Sequence, residues 1–304
     1  MSIQFKRLCA DDIIENIDYF KNCALHLSDY SAAFKIMWQD YFTEYFALVH
    51  NCLVFMEYYQ GRTYFYYPLS MGSAEDEAAA LDEIERYCRE NNVRLHYTSV
   101  PSEKLCAMVK RYGAELRMNN KRRWRDYLYN AQDFVTYGGK KFSGQRNHVN
   151  KFKKLYPQFE FCELNGSNRD EILEFLKEFE RRQLDKGTTI AREELQSVFK
   201  LTDYIDEFAL KAGGIRVDGK LVSYSVGEVC GDQLIIHVEK ALTQYEGIYA
   251  TTAHEFAKHY VTDAIDYINR EDDAGDAGLR KSKLQYNPIE LVDKYTLLPH
   301  RAID

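Results

Sequence analysis

The chain has 304 residues and a mass of 35.7 kDa, about twice the ~150 residues of a common single domain, so two domains are expected. Hydrophobic residues at 45% and charged residues at 29% exclude a disordered or collagen-like chain. The formal charge of −7 is unevenly spread: Lys104 to Lys154 holds 14 Lys/Arg against three acids, a local +11 set in a remainder of −18.

No apolar run reaches the ~18–20 residues of a membrane span; the most apolar stretch, Tyr45 to Tyr59, is broken by His50, Asn51 and Glu57. The N-terminus lacks the apolar region of a secretory signal. Seven cysteines with no C-x-x-C exclude the common zinc-ribbon spacings and read as reduced, mostly buried thiols of a cytoplasmic protein. The 24 Tyr and 17 Phe are expected to pave sheets and domain contacts.

In chain order, a short strand at Ile3 to Leu8 precedes a helix from an N-cap at Asp11 to Asn22, with Ile13, Ile14, Ile17 and Phe20 on one face. Strands follow at Tyr45 to Val49, Cys52 to Tyr59 and Thr63 to Tyr67, the last two joined through Gln60-Gly61-Arg62. Ser73 caps a helix to Glu90, a strand runs from Val93 to Thr98, and a helix that starts near Pro101 ends at Gly113. In the second half, a strand at Phe159 to Leu164 leads to a helix from Asn168 and a second from Arg192 to Asp206. Strands at Phe208 to Val217, Leu221 to Val229 and Gln233 to Glu239 follow, with Asp218-Gly219 as a turn. A helix from Gly247 to Val261 and a strand from Ala264 to Ile268 complete the pattern.

The repeated order suggests a duplication, with Phe46-Ala47-Leu48 and Phe208-Ala209-Leu210 opening corresponding strands. Strand, two helices, three antiparallel strands, helix, strand, helix is the order of the GNAT acyltransferase fold. The expected fold class is therefore α+β, two tandem GNAT-like domains, each a mixed, largely antiparallel sheet flanked by helices. The expected boundaries are an N-terminal domain over 1–130, a basic connector helix over 131–157 and a C-terminal domain over 158–304. The active site is expected in the last of these, because Met71-Gly72-Ser73 in the first half carries no comparable signal.

Five segments carry candidate chemistry. The turn Gln244 to Ala250 partly matches the Q/R-x-x-G-x-G/A turn with which GNAT enzymes hold a pyrophosphate on backbone N–H groups. Gln244 and Gly247 are therefore candidate cofactor-binding residues, with Tyr249 where a small residue belongs. On the strand Leu234 to Glu239, period-two alternation places Ile235, His237 and Glu239 on one face and Leu234, Ile236 and Val238 on the other. Glu239 is a candidate general base for an attacking amine, or else a partner of Lys240 or another basic neighbour. The acid-rich run from Ile268 to Tyr286 fails the EF-hand spacing and otherwise reads as a solvated charged loop. His254 and His259 stand five apart, about 140° around a helix, and cannot share a metal, so no metal site is expected. In the connector, Lys140, Lys141, Arg146, Asn147, His148 and Lys151 form the polar face of an amphipathic helix, candidates for binding a phosphate-bearing partner or simply a solvated face.

The runs G-K-K-F-S-G-Q-R-N-H-V-N-K-F-K-K-L-Y-P at 139–157, G-G-I-R-V-D-G-K at 213–220, H-V-E-K at 237–240 and I-N-R-E-D-D-A-G-D-A-G-L-R-K-S-K at 268–283 resemble the phosphatidylglycerol lysyltransferase C-terminal domain family of soluble bacterial proteins. The resemblance implies a tandem GNAT fold related to the Fem-type peptidyltransferases, whose relatives of known activity move an aminoacyl group from aminoacyl-tRNA to an amine or lipid hydroxyl. The segment Gly278 to Tyr286 is similar to the Fem-type G-L-x-x-F-K-x-x-F, with Ser282 and Tyr286 in the aromatic places. That match implies that Lys283 faces the ester or phosphate end of the donor.

The expected activity is thus aminoacyl or acyl transfer, with Glu239 as base, Lys283 and Arg270 against developing negative charge, and tRNA phosphates on the connector. The acceptor is an amine, a hydroxyl or a lipid-like molecule. The alternatives are an N-acyltransferase using acetyl-CoA and a non-catalytic binding protein or scaffold on the duplicated fold.

Overall fold

Type I′-like turns with two residues at positive φ set the hairpins of both halves. His50-Asn51, Gln60-Gly61 and Asp218-Gly219 each join antiparallel strands in this way, matching the right-handed twist of the strands they connect. The computed structural model describes residues 3–113, 116–185 and 192–299. These divide into two units.

The first unit comprises the chain through Asp126, residues 272–276 and the segment from Val292 onward. Its sheet runs Lys6–Arg7, Glu44–Val49, Cys52–Tyr59, Arg62–Tyr66, Tyr97–Pro101, Lys294–Leu298 and Arg117–Asn120, with Leu69–Ser70 on the side of Cys52–Tyr59. Arg62–Tyr66 and Tyr97–Pro101 are the parallel pair. Between them in the chain runs the helix Ala74–Glu90, whose N-cap Ser73 accepts from Asp76 N while Asp76 accepts in return from Ser73 N. It buries Ala80, Leu81, Ile84 and Cys88 on the sheet.

The second unit comprises 127–271 and 277–291. Its sheet order is Glu290–Val292, Asp126–Asn130, Tyr267–Asn269, Gln233–Ala241, Lys220–Cys230, Lys211–Val217 and Glu160–Leu164. Here too a single parallel pair, Gln233–Ala241 with Tyr267–Asn269, flanks the helix Ile248–Tyr260. Each unit has the element order of the GNAT fold.

Several expectations differ from these elements. The first helix is two, Ala10–Glu15 and Ile17–Lys21, with its N-cap at Cys9 rather than Asp11, and the helix Ala32–Trp38 was not legible in the pattern. The Phe-Ala-Leu pair does not align: residues 46–48 lie within a strand, whereas 208–210 precede one, with Ala209 at φ 53°. The units also differ from the expected spans. The helix Ser143–Leu155 belongs to the second unit, and the C-terminal strand Lys294–Leu298 completes the sheet of the first. Four of the seven cysteines are buried, two are exposed, and all are free.

The first unit buries a set of paired charges. Lys35 and Glu44 form a fully buried ion pair at 2.8 Å, with the ammonium 3.3 Å from the centre of the Tyr66 ring. Lys294 reaches Asp29 and Asp126, the latter at 2.7 Å, while Ser28 N donates to Asp126 and Ser99 Oγ to Asp29. Tyr66 donates to Glu57 at 2.9 Å. Burial, reinforced by the negative charge of Glu44, raises the Glu57 carboxyl to about 8, so it is held protonated near neutrality.

The unfolded chain releases this proton near pH 4.5, so Glu57 costs stability increasingly from there to pH 8 and by a constant amount above it. Glu57→Gln, which keeps an acceptor for Tyr66, should raise the thermal midpoint at pH 8 and leave it unchanged at pH 4. The expected gain is of order 2–4 kcal/mol at pH 8, read by thermal and urea unfolding across that range.

Candidate active site

The parallel strands of the second unit stay paired for only three residues: Gln233, Leu234 and Ile235 face Tyr267, Ile268 and Asn269. On its other edge the longer strand is bulged. Val226 faces Val238 and Gly227 faces Ile236, which leaves His237 as the extra residue. The bulge overturns the alternation expected from sequence. One skipped position brings Glu239 to the same cavity as Ile236 instead of the opposite face.

That cavity opens where the two strands part. It is lined by Ser225, Glu239 and Arg270, and otherwise only by Ala, Ile and Phe from the sheet, the helix Ile248–Tyr260 and the helix Ala131–Thr136. Arg270, the first residue past the shorter strand, sends both Nε, at 2.9 Å, and Nη2 to one oxygen of Glu239, Oε2. Its Nη1 is buried and finds no hydrogen-bond acceptor. The guanidinium lies 4.4 Å from the centre of the Tyr286 ring, which stacks on Phe134 at 5.2 Å, and 5.9 Å from that of Tyr129. Although burial opposes the charge, Glu239 and the electron-rich phenols overcome it and hold Arg270 firmly protonated.

Lys283 joins this group differently from the resemblance. The side chain is 94% buried, with Nζ donating to the Arg270 carbonyl, while Tyr129 OH donates to the Lys283 carbonyl at 2.9 Å. Glu239, Arg270 and Lys283 are thus brought together, with Lys283 holding the arginine's backbone. Lys240 is engaged by Glu194, so the carboxylate partner of Arg270 is not shared with it. The run 268–286 is not a solvated loop. It contains the helix Ala277–Leu284, and Asp273, fully buried, accepts from Arg122 at 2.6 Å within the first unit.

His237 stands beside the site. Its Nδ1 lies 2.8 Å from Glu271 Oε1 and its Nε2 3.6 Å from Glu228 Oε2. Burial would lower its pKa, but the two carboxylates outweigh this and raise it to about 9. Glu271 in turn takes its N–H to Asn269 Oδ1 at 2.8 Å, so this buried ion cluster fixes the chain on either side of Arg270.

The expected anion turn also packs against a helix. Gly247 adopts φ 87°, and a Cβ there would collide with the His148 carbonyl oxygen and crowd Phe152. The glycine admits the backbone of the helix Ser143–Leu155, whose Lys151 pairs with Glu246 at 2.6 Å. Close approach of this helix accounts for the positive-φ glycine, while Gln244, Glu246 and Tyr249 of the same turn are exposed. Gln244 lies in the same turn and does not share the cavity of Glu239 and Arg270. In the connector, Arg146 caps the carbonyls of Tyr137 and Gly139, and Lys141 pairs with Asp133 at 2.7 Å. Lys140, Asn147 and His148 are exposed. His254, one of the two rejected metal ligands, stacks on Tyr137 and bonds the Phe134 carbonyl, and no metal-binding group occurs among the described residues.

The geometry defines a tandem GNAT-like transferase fold, with a cavity lined by Glu239 and Arg270 at a strand fork of the second unit. The model of the phosphatidylglycerol lysyltransferase C-terminal family matches residues 20–298, and the chain belongs to that family. A conserved protein of unknown function from Bacteroides thetaiotaomicron superposes with a TM-score of 0.90 at 26% identity, covering 98% of this chain and 100% of that one. The L-PGS of Bacillus licheniformis superposes with a TM-score of 0.66 at 14% identity, covering 96% and 93% of the two chains, and shares the fold. FemX does so with a TM-score of 0.63 at 8% identity over 96% of each chain. An uncharacterised protein of Mycoplasmoides gallisepticum is 27% identical over 177 residues, 56% of this chain, and the match spans only 54% of that relative's length. No helix among the described residues is long and apolar enough to cross a membrane.

Tyr137, Phe134, Tyr129 and Tyr286 complete the surroundings of Arg270, and only Tyr286 carried a signal in the sequence, through its place in the Fem-like motif. Two measurements test these assignments. Gly247→Ala should destabilise the protein by about 2 kcal/mol or more, through the positive φ and the clash, in urea unfolding. The charged His237 stabilises fully below its unfolded value of 6.5 and progressively less as pH rises through 9. His237→Gln should therefore lower the thermal midpoint at pH 6 far more than at pH 9.5.

Proposed function

We propose that the protein is an aminoacyltransferase in which an amine or hydroxyl acceptor attacks the ester carbonyl of an aminoacyl-tRNA at the Glu239–Arg270 cavity. One observation carries the reading: a carboxylate and a guanidinium line one cavity while their ion pair uses only part of the hydrogen-bonding capacity of each. Both bonds from Arg270 fall on Glu239 Oε2, which leaves Oε1 outside the pair, and Arg270 Nη1 lacks an acceptor. Glu239 Oε1 takes the proton of the attacking nucleophile, and Arg270 Nη1 bonds the carbonyl oxygen as it gains negative charge. The new bond forms at the carbonyl carbon, the ester C–O bond breaks, and the departing ribose hydroxyl takes up the proton. Lys283 positions Arg270 through its carbonyl.

The family and the likeness to FemX and L-PGS support transfer chemistry, and the exposed Lys140, Asn147 and His148 support a phosphate-bearing donor. Acetyl-CoA as donor is less well supported, because Tyr249 stands where the pyrophosphate turn of GNAT enzymes has a small residue.

Filter binding of charged and uncharged tRNA from about 50 to 200 mM salt should show affinity falling steeply with salt. Lys140→Glu combined with Lys154→Glu should weaken both and flatten the slope. No retention at the lowest salt overturns the tRNA reading. Glu239→Gln should leave binding intact and lower transfer roughly 100-fold or more.

A further inference from the structure

A second cleft, of about 500 Å³, lies in the second unit between the helix Arg169–Asp185 and the turn that joins Lys211–Val217 to Lys220–Cys230. It shares no lining residue with the fork cavity, and its volume falls within the roughly 300–1,000 Å³ of small-molecule sites. Helical spacing builds one wall: Glu171, Glu174, Glu178 and Arg181 recur at i, i+3, i+7 and i+10 along one flank. Phe175 and Leu221, both buried, form an apolar floor. Opposite, Gly219 holds φ 76° in the turn, and a Cβ there would meet nothing within 4 Å, so the space beside it is open. The charges fall into two sets. Glu171 receives two bonds from Arg216, at 2.7 and 2.6 Å, and Glu178 is paired with both Arg181 and Arg182. Glu174, Lys177 and Lys220 are exposed, and among the described residues their side chains pair with no other group. One carboxylate and two ammonium groups thus line a single cleft with their charges unpaired.

We propose that this cleft binds a small amino dicarboxylate, a molecule of the glutamate or aspartate class with one ammonium and two carboxylates. The ammonium pairs with Glu174, the carboxylates pair with Lys177 and Lys220, and the methylenes lie over Phe175 and Leu221. The single net negative charge of such a ligand offsets the single net positive charge of the three unpaired side chains. A simple dicarboxylate leaves Glu174 without a counter-ion beside a like charge. A basic amino acid brings a second ammonium to a cleft that already presents two. The inference concerns a binding site separate from Glu239 and Arg270 and does not rest on the transfer reading.

Isothermal titration of the full chain with L-glutamate, glutarate and L-lysine at low salt tests the proposal. L-Glutamate should bind best, with glutarate weaker by about fivefold through the loss of one solvent-exposed ion pair. Glu174→Gln should remove that difference by weakening glutamate alone. Lys177→Glu combined with Lys220→Glu should abolish binding of both anions and leave the circular dichroism spectrum unchanged, because both side chains are exposed. Glutarate or lysine binding as tightly as glutamate overturns the proposal. Binding that survives the double charge reversal places the ligand elsewhere and overturns it too, as does the absence of heat with L-glutamate at millimolar concentration.

Discussion

The second unit depends on two parallel strands that cannot remain paired. Gln233–Ala241 and Tyr267–Asn269 share three residue pairs, after which the bulge at His237 twists the longer strand and the shorter one ends. A wedge between strands exposes backbone and apolar surface, and must be either filled or used. Here Arg270 spans it to Glu239, and Tyr286, Phe134 and Tyr129 surround the guanidinium. The ion cluster of His237, Glu228 and Glu271 secures one side of this bridge, and Lys283 the other. Both the cavity and its polarity follow from the fork.

The two units share an order of elements but use buried polarity in opposite ways. In the first, Lys35, Glu44, Asp29, Asp126 and Lys294 are paired within the interior, and Glu57 is held neutral by burial and by the charge of Glu44. Desolvated charges of this kind stabilise only as complete sets, because each loses its water on folding. In the second, the ion pair of Arg270 and Glu239 lines a cavity at the strand fork.

The uneven charge of the sequence acquires a more limited meaning in three dimensions. The stretch from Lys104 to Lys154 is divided between the units at Asp126. Within it, Arg122 pairs with buried Asp273, Arg125 with Asp293, Lys141 with Asp133 and Lys151 with Glu246. The exposed pairs of Lys141 and Lys151 contribute little to stability, and all four reduce the positive field available to a phosphate partner. Arg146 is spent on capping the carbonyls of a tight loop. What remains outward is the exposed part of the helix Ser143–Leu155 and the residues just before it.

Much of this protein was determined by local sequence. Gly-containing turns fixed two hairpins, Ser73 and Asp76 fixed a helix start, and the apolar spacing around Val149 and Phe152 marked the helix Ser143–Leu155, because these signals act within a few residues. The motif blocks singled out Glu239, Arg270 and Lys283 as candidates. Tertiary structure alone decided how they meet. A single bulged residue carried Glu239 to the cavity face, which strict alternation assigns to the other side of the sheet. Gly247, expected to meet an anion, instead meets the backbone of a helix about 100 residues earlier in the chain. The final strand, Lys294–Leu298, returned to the first unit through pairing with Tyr97–Pro101 and Arg117–Asn120. Register, close approach and strand exchange depend on partners far away in sequence, and periodicity within a segment carries no information about them.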